Sequence, residues 1–450
     1  MPPAVETSRL SGAFKRGVLW LLFLGPFFFL SYGFANHQSA LRDAATGVAS
    51  FYYSWERGIP LWPWTILPYW SIDLLYGFAF LCCRDRAETK RLGLRLLSAQ
   101  LICVACFLAW PLRFDFERPP VEGLSGALFT ALASFDLPYN QAPSLHITLL
   151  VIVWRQFAGV VDAPAVRGLI HAWAVLIALS VLTTWQHHFI DVPTGLAAGL
   201  VCLWLWPDEG RLRPANDRRW TLAFSYFLGA ALFLAAALSL GGAAAVCAWP
   251  ALSLALVAFN YAGAGAAGFQ KHCGRHSLAA RWLFLPYTCA AWVNSRLWTR
   301  GFPEPDRICD GVWLGRMPTA REFEAWAKKR GGDIALFDLC AELPAPALPV
   351  GAAYDGLPCL DLVSVPTSAL MEAARRLDAL RATRREVWVA CALGYSRSAA
   401  VVAAWLLQTG RAADASQALA LLRKARPRVA LGAKSLARLE ECTALPQGAS

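Results

Sequence analysis

Val387-Trp-Val-Ala-Cys391-Ala-Leu-Gly394-Tyr395-Ser396-Arg397-Ser398-Ala-Ala-Val-Val-Ala-Ala404 decides how this chain is read. Its opening residues form an apolar, β-prone run that stops at a cysteine, and five residues separate that cysteine from Arg397. A long apolar run at helical spacing follows. A loop of this length at a helix N-terminus can aim successive backbone N–H groups at one anion. The same positive field lowers the thiol pKa of Cys391 and makes it a nucleophile near neutral pH. Arg397 offers a planar fork that grips two phosphate oxygens. Gly394 permits the tight backbone, Tyr395 and Ser396 complete the anion-binding loop, and Ser398 can stabilise a leaving thiolate. Strand, anion loop and helix in this order imply phosphomonoester hydrolysis through a phosphocysteine.

That run resembles the active-site loop of the dual-specificity branch of the protein tyrosine phosphatase family, and the likeness extends over about residues 306–445. Ile308-Cys-Asp-Gly-Val-Trp-Leu-Gly-Arg-Met-Pro318 looks like that family's first strand and turn. Ile334-Ala-Leu-Phe-Asp-Leu339 reads as a buried parallel strand, followed by Glu342 and Pro344. Leu421-Leu-Arg-Lys-Ala-Arg-Pro-Arg-Val429 looks like its late helix and Arg-Pro turn. The resemblance implies a general acid on a loop well before the cysteine, where Leu360-Asp361-Leu-Val-Ser-Val-Pro-Thr367 stands, so Asp361 takes that role. Protonated Asp361 would donate to the leaving oxygen, and its carboxylate would then activate water against the phosphocysteine. The family's usual His before the nucleophile is Ala390 here, which leaves the helix-end backbone to hold the thiolate. The chemistry calls for no metal and no other cofactor. Cys340 and Cys359 are expected as core cysteines.

Composition says where this domain sits. The chain has 450 residues, 57% of them hydrophobic, and the apolar excess lies before residue 300. Spans are expected near 17–36, 62–83, 93–112, 145–161, 168–186, 188–206, 220–240 and 243–263. The expected fold is therefore an α-helical polytopic membrane bundle over 1–263, followed by an interfacial linker over 264–305. An α/β cysteine-phosphatase domain with a mostly parallel central sheet completes it over 306–450. Basic residues fall on alternate connections: Lys15 and Arg16; Arg84, Arg86, Lys90, Arg91 and Arg95; Arg167; Arg211, Arg213, Arg218 and Arg219; then Lys271, Arg275 and Arg281. The positive-inside rule makes those connections cytoplasmic and puts the C-terminal domain on the cytoplasmic face, as in a bacterial inner-membrane protein. Trp282 to Asn294 is short, contains Pro286 and is expected as an interfacial helix; as a ninth span it would move that domain across the membrane. The net charge of +11 follows from this topology and from attraction to anionic lipid, so nucleic acid is not an expected partner. Thirteen cysteines without paired extracellular spacing suit a reducing compartment.

The membrane half carries chemistry of its own. Pro143-Ser144-Leu-His146 opens the fourth expected span, and His187-His188-Phe-Ile-Asp191 opens the sixth. Ionisable groups at such depths are costly unless they line a wet cavity, so they mark function by default. His187 and Asp191 stand at i and i+4, which on one helix face would let the carboxylate fix the imidazole. These residues, with Arg118-Pro119 before them, resemble the type 2 phosphatidic acid phosphatase superfamily over about residues 60–210. The resemblance implies His187 as nucleophile, Asp191 as its orienter, His146 as general acid, and Arg118 and Ser144 as phosphate ligands. Two positions depart from that family: Val181 replaces a phosphate-gripping Arg, and Pro111 stands where a Lys is usual. The doubled His187-His188 is more like the inositol-phosphoceramide and sphingomyelin synthase branch, so headgroup transfer stays open beside hydrolysis. The whole order resembles bacterial fusions of two phosphatase families. Membrane lipid phosphates are the expected substrates, with phosphoproteins as the alternative partners.

Overall fold

The computed structural model describes residues 3–444 apart from 211, 213–217, 310, 332 and 385, so the expected cytoplasmic Arg211 and Arg213 lie outside the described residues. The chain divides into two units, Met1–Glu209 and Gly210–Ser450. The first has helices and no strand among its described residues: α1 (Pro3–Thr46), α2 (Ile66–Leu81), α3 (Arg86–Ala109), α4 (Gly123–Ala133), α5 (Leu145–Val160), α6 (Pro164–Thr183) and α7 (Asp191–Leu205). Local chemistry sets the ends. Asp85 caps α3 by accepting from the Glu88 amide, and Ser144 caps α5 through the Ile147 amide. Leu92, Leu96, Ala99, Cys103 and Phe107 bury one face of α3 at helical spacing. Gly195 and Gly199 let α7 lie against α5, since a Cβ at either would strike Ser144 O at 2.6 Å or Val151 at 2.7 Å.

Five helices are long and apolar enough to cross a membrane: 12–46, 86–109, 164–183, 220–240 and 242–269. The expected spans near 62–83, 145–161 and 188–206 form the shorter helices α2, α5 and α7, of 16, 16 and 15 residues. At about 1.5 Å per residue, each is shorter than the roughly 30 Å hydrocarbon core. Prolines stand at or just before the start of each. Pro63 stands before α2, Pro143 before α5, and Pro193 in the first turn of α7 has no N–H with which to extend that helix backwards. His187 consequently lies in the turn before α7, not on its face; the sequence expectation of one continuous helix there is corrected.

The second unit begins with α8 (Trp220–Leu240) and α9 (Ala248–Phe259), a paired apolar hairpin. A short two-stranded hairpin, β1 (Lys271–His272) and β2 (Arg275–His276), precedes α10 (Leu278–Leu283) and α11 (Leu285–Trp298). The α/β domain follows: β3 (Asp306–Cys309), β4 (Val312–Arg316), α12 (Ala320–Lys328), β5 (Ile334–Cys340), β6 (Ala353–Cys359), α13 (Thr367–Thr383), β7 (Glu386–Cys391), α14 (Arg397–Gln408), α15 (Ala415–Ala425) and α16 (Ala433–Ala444). Strand order is β3-β4-β7-β5-β6, with only the edge strand β3 antiparallel. The two-residue period of β7 sends Val387, Val389 and Cys391 into the core shared with α13 and α14. It sends Trp388 and Ala390 to the opposite core, where Phe323 and Trp326 of α12 pack. β5 is buried along its whole length, as its largely apolar pattern requires of a parallel strand inside the sheet, and its one charged side chain, Asp338, is paired with Lys271.

Residues 264–305 are bonded into this domain. Lys271 is buried, and its Nζ donates at 2.6 Å to Asp338 Oδ2, Cys340 O and Leu343 O beneath the end of β5. Thr288 Oγ1 donates to Glu342 O at 3.2 Å, and Arg296 donates to Met317 O. The apolar segment from Trp282 folds as the end of α10 and the whole of α11, which has 14 residues.

Candidate active site

The central strand β7 ends at Cys391, and the chain turns through 392–396 before α14 begins at Arg397. Gly394 makes this turn possible. Its φ is +73°, and a Cβ there would meet Gly315 C at 2.3 Å and Arg316 N at 2.7 Å, both immovable backbone of the neighbouring β4. Arg426 pins the loop from beneath: Nε donates to Gly394 O at 3.1 Å, and the same buried guanidinium pairs with Asp306 at 2.6 Å. Its plane also lies under the Tyr395 ring.

The thiol of Cys391 is buried and surrounded by donors. Gly394 N and Ser398 Oγ each lie 3.2 Å from Sγ. Burial alone would raise the thiol pKa, but the Arg397 charge and hydrogen bonds from Ser398 and the Gly394 amide outweigh it and hold the pKa below its ordinary value. Its cysteine neighbours behave in the opposite way: burial pushes Cys359 up to about 12 and pushes Cys340 well above the ordinary thiol range. Among these three, Cys391 is the one set to be a nucleophile.

Arg397 is buried and its donors can be counted. One terminal nitrogen gives hydrogen bonds to Glu342 Oε2 (2.8 Å) and Cys359 O (2.9 Å). The other meets Glu342 Oε1 at 2.6 Å and Asp361 Oδ1 at 3.0 Å. A guanidinium carries five N–H bonds, and the one on buried Nε has no partner among the described residues. Burial would raise the Glu342 pKa, yet the bidentate Arg397 contact keeps this carboxylate below its usual range. Asp361 stands in the turn after β6, half exposed, with its backbone carbonyl accepting from Tyr261 Oη at 3.0 Å. The structure thus brings Cys391, Gly394, Tyr395, Ser396, Arg397, Ser398 and Asp361 to one place.

Three contributors were not assigned a role from sequence. Glu342 was visible as a carboxylate directly after a buried strand, and Arg426 lay within the Arg-Pro turn. Tyr261 had no local signal, because its partner is a hundred positions away.

In the first unit, the start of α5 and the turn before α7 bring Ser144, His187 and Asp191 together. Ser144 Oγ lies 3.1 Å from His187 Nε2, and His187 Nδ1 lies 3.2 Å from Asp191 Oδ2. The expected i, i+4 contact therefore forms across a turn. His188 is held differently: its Nε2 accepts from the Asp115 amide at 3.2 Å, so Nδ1 carries the proton donated to buried Glu56 at 3.2 Å. Glu56 was not singled out in the sequence. His146 stacks on Tyr69 at 4.1 Å, and its Nε2 is buried without a partner. Arg118 donates to Thr184 O and Trp185 O and lies over the Phe129 ring. These groups occupy one end of the bundle. At the other end Arg91, Arg95 and Arg155 converge on Asp208, and Arg84 reaches Val160 O at the finish of α5. No cluster of potential metal ligands occurs among the described residues.

Residues 353–443 match the sequence profile of the family described as dual specificity phosphatase, catalytic domain. No curated protein matches the chain. Similar solved structures include Tk-PTP in its active form, at 24% identity over 32% of this chain and 98% of that one, with a TM-score of 0.28. PTPMT1 in complex with PI(5)P is 20% identical over 31% of this chain and 93% of that one, with a TM-score of 0.28. Human DUSP28 is 22% identical over 31% and 95%, with a TM-score of 0.27. The C-terminal part of the chain carries a dual-specificity phosphatase domain. The family match does not reach the helical half, where the lipid-phosphatase resemblance rests on its own residues.

Proposed function

We propose that the protein is a membrane-embedded phosphatase that hydrolyses phosphomonoesters of lipid headgroups through a phosphocysteine on Cys391. The observation that carries the chemistry is the polarised thiol beside a buried arginine whose Nε–H is uncommitted among the described residues. In-line attack by Sγ forms the S–P bond as the ester P–O bond breaks, with Asp361 protonating the departing oxygen. Water activated by the Asp361 carboxylate then breaks the S–P bond, and Cys391 leaves as thiolate. The lipid assignment is supported by the second unit, in which the same compact body holds the site and two helices of spanning length. Substrate delivered in the plane of the bilayer reaches such a site at high effective concentration. A headgroup with one phosphomonoester suits a loop that carries Ala392, Leu393 and Tyr395 in place of extra lysines.

The second half of the proposal concerns the first unit: a histidine-based lipid phosphatase or headgroup transferase on the opposite membrane face. The Ser144–His187–Asp191 chain supports it, because Asp191 orients His187 and leaves Nε2 facing Ser144. Full-length protein in vesicles tests both halves. Cys391→Ser should abolish metal-independent hydrolysis of p-nitrophenyl phosphate, and EDTA should leave the wild type active. Asp361→Asn should slow alkyl phosphates by about 10²–10⁴-fold. His187→Ala should remove only lipid turnover that survives Cys391→Ser. Full activity of the serine variant would refute the cysteine mechanism, and preference for phosphotyrosine peptides over every lipid would refute the lipid assignment.

A further inference from the structure

Beside the catalytic loop lies a cavity of about 440 Å³ lined by Leu297, Trp298, Arg300, Gly301 and Arg428. Four of these come from the end of α11 and the turn after it, outside the residues that match the phosphatase family. The cavity is tied directly to the loop. Trp298 O accepts from Arg428 at 3.0 Å and is approached by Tyr395 Oη at 3.5 Å. Arg428 also lies over the Phe302 ring, with its guanidinium carbon 4.9 Å from the centroid.

The charges in this cavity differ from those of the arginines around the catalytic loop. Arg316, Arg376, Arg397 and Arg426 are each committed to a carboxylate. Arg300 and Arg428 have no carboxylate partner among the described residues. Two unpaired guanidiniums in a concavity attract an anion, and their fork geometry suits phosphate oxygens. Leu297 and Trp298, both about 60% exposed, provide an apolar wall next to them. The volume is in the range of small-ligand sites.

Building on the lipid reading above, we infer that this cavity is a second anion subsite that holds the phosphodiester of a glycerophospholipid while its terminal phosphomonoester occupies the Cys391 loop. Leu297 and Trp298 then cover the glycerol carbons next to the diester. The substrate class is thereby narrowed to lipids that carry a monoester and a diester phosphate in one headgroup. Phosphatidic acid, which has only the monoester, leaves the cavity unused.

The test uses full-length protein and two kinds of probe. Deacylated glycerophosphoglycerophosphate (monoester plus diester) and glycerol 3-phosphate (monoester only) are titrated as inhibitors of p-nitrophenyl phosphate hydrolysis. Phosphatidylglycerophosphate and phosphatidic acid, in phosphatidylcholine vesicles, are compared as substrates. Arg300→Ala and Arg428→Gln should each weaken the diester-bearing probes by about tenfold, the scale of one lost charge-assisted hydrogen bond. Both should leave glycerol 3-phosphate, phosphatidic acid and the aryl phosphate unchanged. Arg300 makes no hydrogen bond or ion pair among the described residues, so its variant remains informative if Arg428→Gln disturbs the α11 end. An equal loss for monoester-only probes would reduce the cavity to general anion attraction and overturn the inference, as would no loss at all. An effect on the soluble diester without lipid turnover would keep the subsite and reject the lipid source. Loss of Cys391-dependent hydrolysis in the wild type would be a failure of the parent reading, seen before any arginine is changed.

Discussion

The arithmetic of one side chain links binding to catalysis at this site. Arg397 spends both hydrogens of one terminal nitrogen on Glu342 and Cys359, while the other nitrogen donates to Glu342 and forms an ion pair with Asp361. On the proposed mechanism, a phosphate that takes the free Nε–H and displaces the Asp361 ion pair frees that carboxyl group for the leaving oxygen. Glu342 stays in place as the fixed counter-charge, which lets a buried cation persist without its anion. Cys391 obeys the same logic, since fixed donors offset its burial. The depressed pKa means that the thiolate survives at lower pH than an ordinary thiol allows. Alkylation of Cys391 by iodoacetamide, followed peptide by peptide in a mass spectrometer, should therefore reach half its maximal rate below the normal thiol range. Ser398→Ala removes a 3.2 Å donor and should move that midpoint up by about one pH unit. An unchanged midpoint would show that the hydroxyl plays no part in holding the thiolate.

Elements outside the sheet reach into the site, and the turn after α9 does so most directly. Tyr261 is buried, stacks on Tyr226 of α8, and donates to the backbone carbonyl of Asp361. The apolar hairpin thus bonds the Asp361 turn through one hydroxyl. Tyr261→Phe deletes that bond without changing the ring packing, and should slow alkyl phosphates by about tenfold, near the upper end for a single hydrogen bond. Aryl phosphates, whose leaving groups need little protonation, should be nearly unaffected. A uniform decrease on both substrates would mean that Tyr261 supports the fold and not the acid. Element boundaries elsewhere follow from prolines: Pro193 starts α7 late enough that His187 meets Asp191 across a turn.

At the scale of the whole chain, the distribution of charge makes a topological statement. In the first unit, Arg84, Arg91, Arg95 and Arg155 gather at the end of the bundle away from His187. Counting the shorter α2, α5 and α7 as crossings gives the eight passages expected from sequence. A reporter fused after Ser450 should then read as cytoplasmic, and one inserted near residues 120–135 should read as the opposite face. A C-terminal reporter on the outer face would mean an odd number of passages, as the five helices of spanning length alone would give. Cys391 and His187 would then work in one compartment.

The local pattern by itself determined the nucleophile loop, the direction of its helix, the alternation of β7 and the buried β5. Each of those depends on residues adjacent in sequence and on periods of two or 3.6. It also made the apolar half legible, because a bilayer demands length and composition before it demands contacts. Tertiary structure alone decided the rest. Glu342 became the partner of Arg397, Lys271 the buried cation under β5, Tyr261 the hold on Asp361, and Glu56 the partner of His188. In each pair the two residues are separated by between 55 and 132 positions, and only the path of the backbone brings them within hydrogen-bond reach. Burial then enforces the pairing, since a charge or hydroxyl removed from water must find whichever partner the fold delivers.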